Sequence, residues 1–385
     1  MLPVRDRAPC APTMPPHGAN ATCTPDDTAH WEQIDASFAS PLADFLRDLR
    51  FDANDPAALG EVLGKLIERG FDREPAMPLP GHGRTLARWR VLAEVAASDL
   101  GLVKLFEGHT DALAILAELR GPTPPAASRW GVWAAEPPDA RVRINSEGIR
   151  SNGNVLLDGT KAWCSGAGVV SHALVTAWLG DQPVLAALAL DHASISIDTS
   201  HWQAVGMQAT ASADVTFSAT PATLVGDAHA YVRRAGFWHG GAGIAACWYG
   251  AAARIGRRVR EASLLHAGPH QLAHLGAIES ALAGAAAVLR ETAAHIDAHP
   301  RADSQREAMR ARLVVEEAAT AVMHHATRAL GAGPLCRNAR FARALADLPV
   351  FLRQSHAERD LAALGELIAK EAHDDAASGD SPWTL

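Results

Sequence analysis

The feature that most constrains this chain is a double change of hydrophobic period. Apolar residues recur every three or four positions from about residue 30 to 120 and in short alternating runs between about 130 and 226. The longer spacing returns from about 236 to 372. A pattern of one period does not settle into the other structure, so the order helices, strands, helices is imposed before any single element is placed. The first zone holds PLADFLRDLR, AALGEVLGKLIERGF and TLARWRVLAEVAASDLGLVKLF, separated by breaks such as PAMPLPGHG. GPTPPAAS (121–128) is a hinge by composition. The middle zone holds NVLLDGTKAW, HALVTAW, VLAALAL, SISID and ADVTF. Hairpin signals lie at SNGN (151–154) and at Asp158 with Gly159.

The last zone contains AAARIGRRVREASLL, LGAIESALAGAAAVLRETAAHID and SQREAMRARLVVEEAATAVMHHATRAL. A fourth stretch, VFLRQSHAERDLAALGELIAKEA, follows Asp347, with Asp347 as a good N-cap and Pro349 just inside the start. Four long helices with few interruptions predict an antiparallel bundle. The expected fold is α+β: a tail over 1–29, an all-α domain over 30–125, a small β domain (barrel or sandwich) over 126–228, a four-helix bundle over 229–372, and a second tail over 373–385.

A length of 385 residues calls for two or three packed units. The net charge of -8 argues against nucleic acid or an anionic membrane as partner, since either needs a basic face. Apolar runs such as 169–179 are too short to span a bilayer. The Pro-rich start has no apolar core of signal-peptide length. Five scattered cysteines (Cys10, Cys23, Cys164, Cys247, Cys336) without a C-x-x-C spacing suggest neither a disulfide framework nor a metal site, and a reduced cytoplasm fits them.

Three segments in order resemble the acyl-CoA dehydrogenase family. LDGTKAWCSGAG (157–168) looks like that family's strand NGxKxWITNA; read alone, it is an Asp-Gly hairpin with a core Trp and a turn Ser. RWGVWAAEPPDA (129–140) resembles ALTEPxAGSD, with Ala135 in place of the Thr and without the Gly-Ser-Asp tail. VGMQATASADVTFSATPATLVG (205–226) is similar to the strands and linker that lead into the family's bundle. The resemblance covers about 84–372. It implies an acyl-CoA dehydrogenase-like fold and a flavin, FAD or alternatively FMN. Trp163 would pack on the ring, Ser165 would hydrogen-bond near ring nitrogen N5, and Trp133 and Ala135 would hold the ring edge. In TRALGAGPLCRNAR (327–340), Gly331 and Gly333 would let a neighbouring subunit approach the cofactor; a plain helix C-cap reads equally well there. HAGPHQLAH offers His and Gln where the resemblance implies an Arg and a Phe that clamp the pyrophosphate of FAD.

The reaction so implied is α,β-dehydrogenation of an acyl thioester such as acyl-CoA. A carboxylate removes the α-proton and hydride leaves for N5, with an electron-transfer flavoprotein as acceptor and a homodimer or homotetramer as the assembly. The base is not at either of the family's positions, which here are Ala346 and Gly240. Asp347, one residue on, is the first candidate, and it also reads as a simple N-cap. His239 is the second. His356 and Glu358, expected inside the last helix, are third. Relatives of this fold without the carboxylate use reduced flavin and oxygen as monooxygenases, and that is the alternative activity; a catalytically degenerate binding subunit is the other.

Overall fold

The computed structural model describes residues 40–144, 153–265 and 267–374. The expected tail over 1–29 and the residues Ser151 and Asn152 of the first hairpin signal lie outside them. The chain divides into two units, 1–47 and 48–385. The described part of the first is Ser40 and nearly all of helix α1 (Pro41–Asp48), whose opening turn is capped by Ser40 Oγ accepting from the Ala43 N–H at 3.0 Å.

In the second unit α2 (Pro56–Glu68) begins at Asp55, whose carboxylate accepts from the Ala57 N–H, with Pro56 as first helical residue. The stretch expected as one helix from Thr85 onward is two, α3 (Thr85–Ser98) and α4 (Leu100–Glu118). Asp99 is extended between them and its carboxylate caps α4 through the Leu102 N–H at 2.9 Å. An N-cap aspartate thus ends one helix and starts the next.

Seven strands follow: β1 (Trp130–Trp133), β2 (Val142–Ile144), β3 (Asn154–Cys164), β4 (His172–Leu179), β5 (Gln182–Ala189), β6 (Ile195–Asp198) and β7 (Ala213–Leu224). Pairing runs β4-β2-β3-β7-β5 and returns to β4, which closes a small barrel; β1 joins β4 and β6 joins β7 at its rim. Closure removes the open edges that a short sheet would expose. Asp158 and Gly159 do not form a hairpin. They lie inside β3, at a register shift against β7. Gly159 has φ 114°, and a Cβ there would run into the carbonyl of Arg141 on the way to β2.

Beyond a short turn of helix, α5 (Ala230–Arg233), come the long helices α6 (Gly236–Leu265), α7 (Pro269–Ala298) and α8 (Gln305–Leu330). The expected fourth helix is broken in the structure. It consists of α10 (Ala339–Leu352) and α11 (Glu358–Asp374), preceded by the short α9 (Ala332–Arg337). Arg312 of α8 holds this break, donating to the carbonyls of Gly241 at 2.8 Å and Gln354 at 2.7 Å. The start of α10 is set by Asn338, whose side chain accepts from the Phe341 N–H, so Pro349 lies inside a helix rather than at its start. By length and mean hydropathy α7 is apolar enough to cross a membrane; one side of it packs on α6 and α8 through Ile278, Ala285, Leu289 and Ile296.

Candidate functional site

The second register shift in β3 falls between Lys161 and Cys164, where two residues of β3 oppose one of β7. Trp163 occupies this bulge at φ 58°. A bulge re-aims the side chain it carries, and Trp163 is 59% exposed, an uncommon position for so large an aromatic surface. Two residues on, Ser165 lines a narrow cleft between α4 and β1 with Lys104, Gly108, Trp130 and Val132. The cleft measures about 10 Å³, room for one water. The position of β1 along α4 is fixed by His109, whose Nδ1 is 3.2 Å from the Trp130 N–H while Nε2 meets Asp72.

A chain of hydrogen bonds joins three of the residues singled out in the sequence. Trp133, buried on β1, donates from Nε1 to the Ser165 carbonyl at 3.2 Å. Ser165 Oγ lies 2.9 Å from Ser212 Oγ, which lies 3.0 Å from Thr210 Oγ1. Thr210 donates to the Met207 carbonyl at 2.7 Å, and the Met207 N–H donates to Asp347 at 2.5 Å. Trp133, Ser165 and Asp347 therefore belong to one network. Thr210 and Ser212, its middle members, are absent from the sequence-based candidates. Their only sequence signal is a run of small hydroxyl residues before β7, which many loops share.

Asp347 is no N-cap. It is buried within the third turn of α10 and clasps the loop around Gly206, where a Cβ would strike the Ala346 carbonyl. Burial pushes its carboxyl up to about 6, assisted by the nearby Asp99 and opposed by the Met207 N–H and Arg343. His239 shares none of these partners. It is buried against Gly81, its Nε2 has no hydrogen-bond partner among the described residues, and burial lowers its pKa. Glu358 is the exposed first residue of α11, in the last helix as expected, whereas His356 stands before that helix, paired with Asp360, and not inside it as expected. Gly331 (φ 65°) is the exposed C-cap of α8 and Gly333 is exposed on α9; a Cβ on either meets nothing within 4 Å.

At Gly240 the structure adds a carboxylate that the sequence order conceals. A Cβ on Gly240 would come within 2.9 Å of Asp111 Oδ1, from the adjacent helix α4. Burial raises the Asp111 pKa, countered by Arg234 at 3.9 Å. Lys104, Glu107 and Asp111 follow at helical spacing on α4, and Lys104 pairs with Glu107 at 3.0 Å.

Ala135 is half-buried, and its neighbours Ala134 and Glu136 line a larger cavity of about 370 Å³, together with Thr176, Val184, Tyr231 and Phe237. Glu136 accepts from Lys161 Nζ, Thr176 Oγ1 and Trp178 Nε1 at 2.9 to 3.2 Å. Burial alone would raise its pKa, but Lys161 and these hydrogen bonds outweigh it and hold the carboxyl low.

The helices and closed barrel, in this order, define an acyl-CoA dehydrogenase-like fold. No family model matches the chain and no curated protein matches it. Among solved structures it is similar to the dibenzothiophene monooxygenase TdsC from Paenibacillus sp. A11-2, with TM-score 0.67 and 19% identity over 86% of this chain and 93% of that one. It is similar also to the methanesulfinate monooxygenase MsuC from Pseudomonas fluorescens (0.66; 17%; 90% and 99%). A third is a nitrososynthase from Micromonospora carbonacea var. africana (0.69; 16%; 86% and 97%). At such identities the likeness is one of fold.

Proposed function

We propose that this chain is a flavin-dependent monooxygenase that takes up reduced FMN and oxygenates a small molecule. The observation that carries the reading is the position of Asp347. A dehydrogenase needs a free carboxylate over the substrate, whereas Asp347 is buried in α10 and holds a backbone N–H of the loop at Gly206. Glu358 is exposed. Reduced flavin, when bound, supplies the electrons with which O₂ gives one oxygen atom to the substrate and the other to water. That chemistry asks the protein for a flat aromatic support, a polar contact at the ring edge and a dry pocket.

Two described residues would supply parts of that request. Trp163 offers an exposed indole face, and Ser165, two residues on, would supply the polar contact at N5. Trp133 and Ala135 back the ring edge. The cavity at Ala134, mostly apolar with Glu136, Thr176, His229 and Tyr231 as its polar lining residues, is the space for substrate. FMN is preferred to FAD because TdsC is known bound to FMN and because HAGPHQLAH lacks the Arg and Phe clamp. A reductase then replaces the electron-transfer flavoprotein as partner, and the free cysteines fit a reducing cytoplasm.

Dehydrogenation remains the second reading, favoured by the raised pKa of Asp347. Anaerobic mixing of the flavin-loaded protein with a series of acyl-CoA thioesters separates the two. The monooxygenase reading expects the yellow colour to persist until a reductant is added. Rapid bleaching by a thioester alone would establish the dehydrogenase.

A further inference from the structure

Helices α7 and α8 carry two histidines that face each other across the bundle. His274 Nδ1 on α7 lies 2.9 Å from His325 Nδ1 on α8, with the ring planes tilted by 46°. The two residues are 51 positions apart, so no local spacing in the sequence announces them. Both are half-buried, and the exposed His324 sets its ring edge-on to that of His325. The backbones that carry the pair are held by the core. Ile278, one turn beyond His274, and Val322, one turn before His325, are buried and both reach toward Gly256 of α6.

Two neutral imidazoles in this pose share one proton, one Nδ1 donating and the other accepting. The same pair of nitrogens can take a cation in place of that proton. Nitrogens 2.9 Å apart, each about 2.0–2.1 Å from a metal, subtend about 90° at it. That is the cis angle of a square-planar or octahedral ion, whereas a tetrahedral ion would need nitrogens about 3.3–3.4 Å apart. The right angle suits Cu(II) and Ni(II) rather than Zn(II), and Cu(II) also heads the general order of affinity. A metal takes only unprotonated imidazole. Burial lowers the pKa of His325, assisted by His274, His324 and Arg328, so the ring is neutral at pH 7. Among the described residues no third His, Cys, Asp or Glu completes a cluster, so water fills the remaining positions and the ion stays open to solvent. We propose that His274 and His325 form a two-histidine chelate for a late first-row divalent cation, which ties α7 to α8. The inference draws nothing from the flavin reading.

The test is a calorimetric titration of the metal-free full chain with Cu(II), Ni(II) and Zn(II) chlorides at pH 7. Wild type is compared with His274→Ala and His325→Ala, and with His299→Ala, an exposed histidine outside the pair, as control. The wild type is expected to bind one Cu(II) per chain at its tightest site, with imidazole nitrogen in the electron paramagnetic resonance spectrum. Because the ion binds the folded bundle, the thermal midpoint should rise with it. Each pair variant should weaken that site about tenfold or more and lose the rise in midpoint, while His299→Ala keeps both. Either pair variant gives the reading alone, should the other fail to fold. A tightest site that survives both variants would overturn the inference and leave an adventitious ion only. Zn(II) bound as tightly as Cu(II) would contradict the right-angle geometry. Binding of none of the three ions would leave the pair as a plain hydrogen bond and overturn the site.

Discussion

Asp347 combines a carboxylate's usual structural task with an unusual proton affinity. Its ordinary pKa is about 3.9 and burial pushes it up to about 6 in the fold. Between these values the folded protein binds a proton that the unfolded chain has lost. This group's contribution is therefore fully present below about pH 4 and is lost as pH rises through about 6. Asn at this position keeps an oxygen to accept the Met207 N–H and has no proton to lose. Asp347→Asn should accordingly gain stability relative to wild type on going from pH 4 to pH 7, measured as the difference in thermal midpoint at each pH. A difference that stays constant across that range would mean that Asp347 titrates normally. Sequence alone singled out this residue by its one-residue offset from Ala346 and misread its local structure. With Asp347 read as an N-cap and Pro349 just inside the start, the helix is expected to begin there, whereas it begins at Ala339, where Asn338 supplies the cap. The partner that matters, Met207, is 140 residues away.

Elements meet in this molecule through glycines placed where backbones approach. The packing of α3 on α6 depends on Gly250, since a Cβ there would press into the Ala93 carbonyl and Cα. Backbone cannot rotate away as a side chain can, so Gly250→Ala should destabilise by about 1–3 kcal/mol. Gly64, in α2, has nothing within 4 Å of the same point. There Ala should stabilise by about 0.5–1 kcal/mol through helix propensity alone. Denaturant unfolding of both variants checks the pair, and equal effects would contradict the packing described. Spacing and composition revealed most of these elements. They did not reveal the Asp99 break or the interior place of Asp158 and Gly159, because a cap aspartate and a bulge glycine carry the same local letters as a loop and a hairpin. The Trp163 bulge is likewise a matter of register between β3 and β7, which no local pattern contains. The hydroxyls of Thr210 and Ser212 reach Ser165 only through that register.

At the scale of the whole molecule, the double change of period made the fold order legible, because whole domains change their pattern at once. Assembly depends on faces that one chain leaves open. Helix α7 carries an apolar stretch of which little is buried, and Leu272, Ala273, Gly276, Ala283 and Ala287 stand exposed along it. Small residues in such a row allow another helix close approach. We expect a homodimer or a dimer of dimers. Light scattering at micromolar concentration should give two or four times 40.6 kDa, and a strict monomer would remove the reason for Gly331 and Gly333 to face a neighbour. The flavin reading places the ring at Trp163 and Ser165. The measurement that bears most directly on it is flavin occupancy by anaerobic titration, followed through the quenching of tryptophan fluorescence. The account predicts about one FMN per chain, with much weaker binding in Trp163→Leu at unchanged fold. A protein that takes up neither oxidised nor reduced flavin, or one whose binding ignores Trp163, would contradict it.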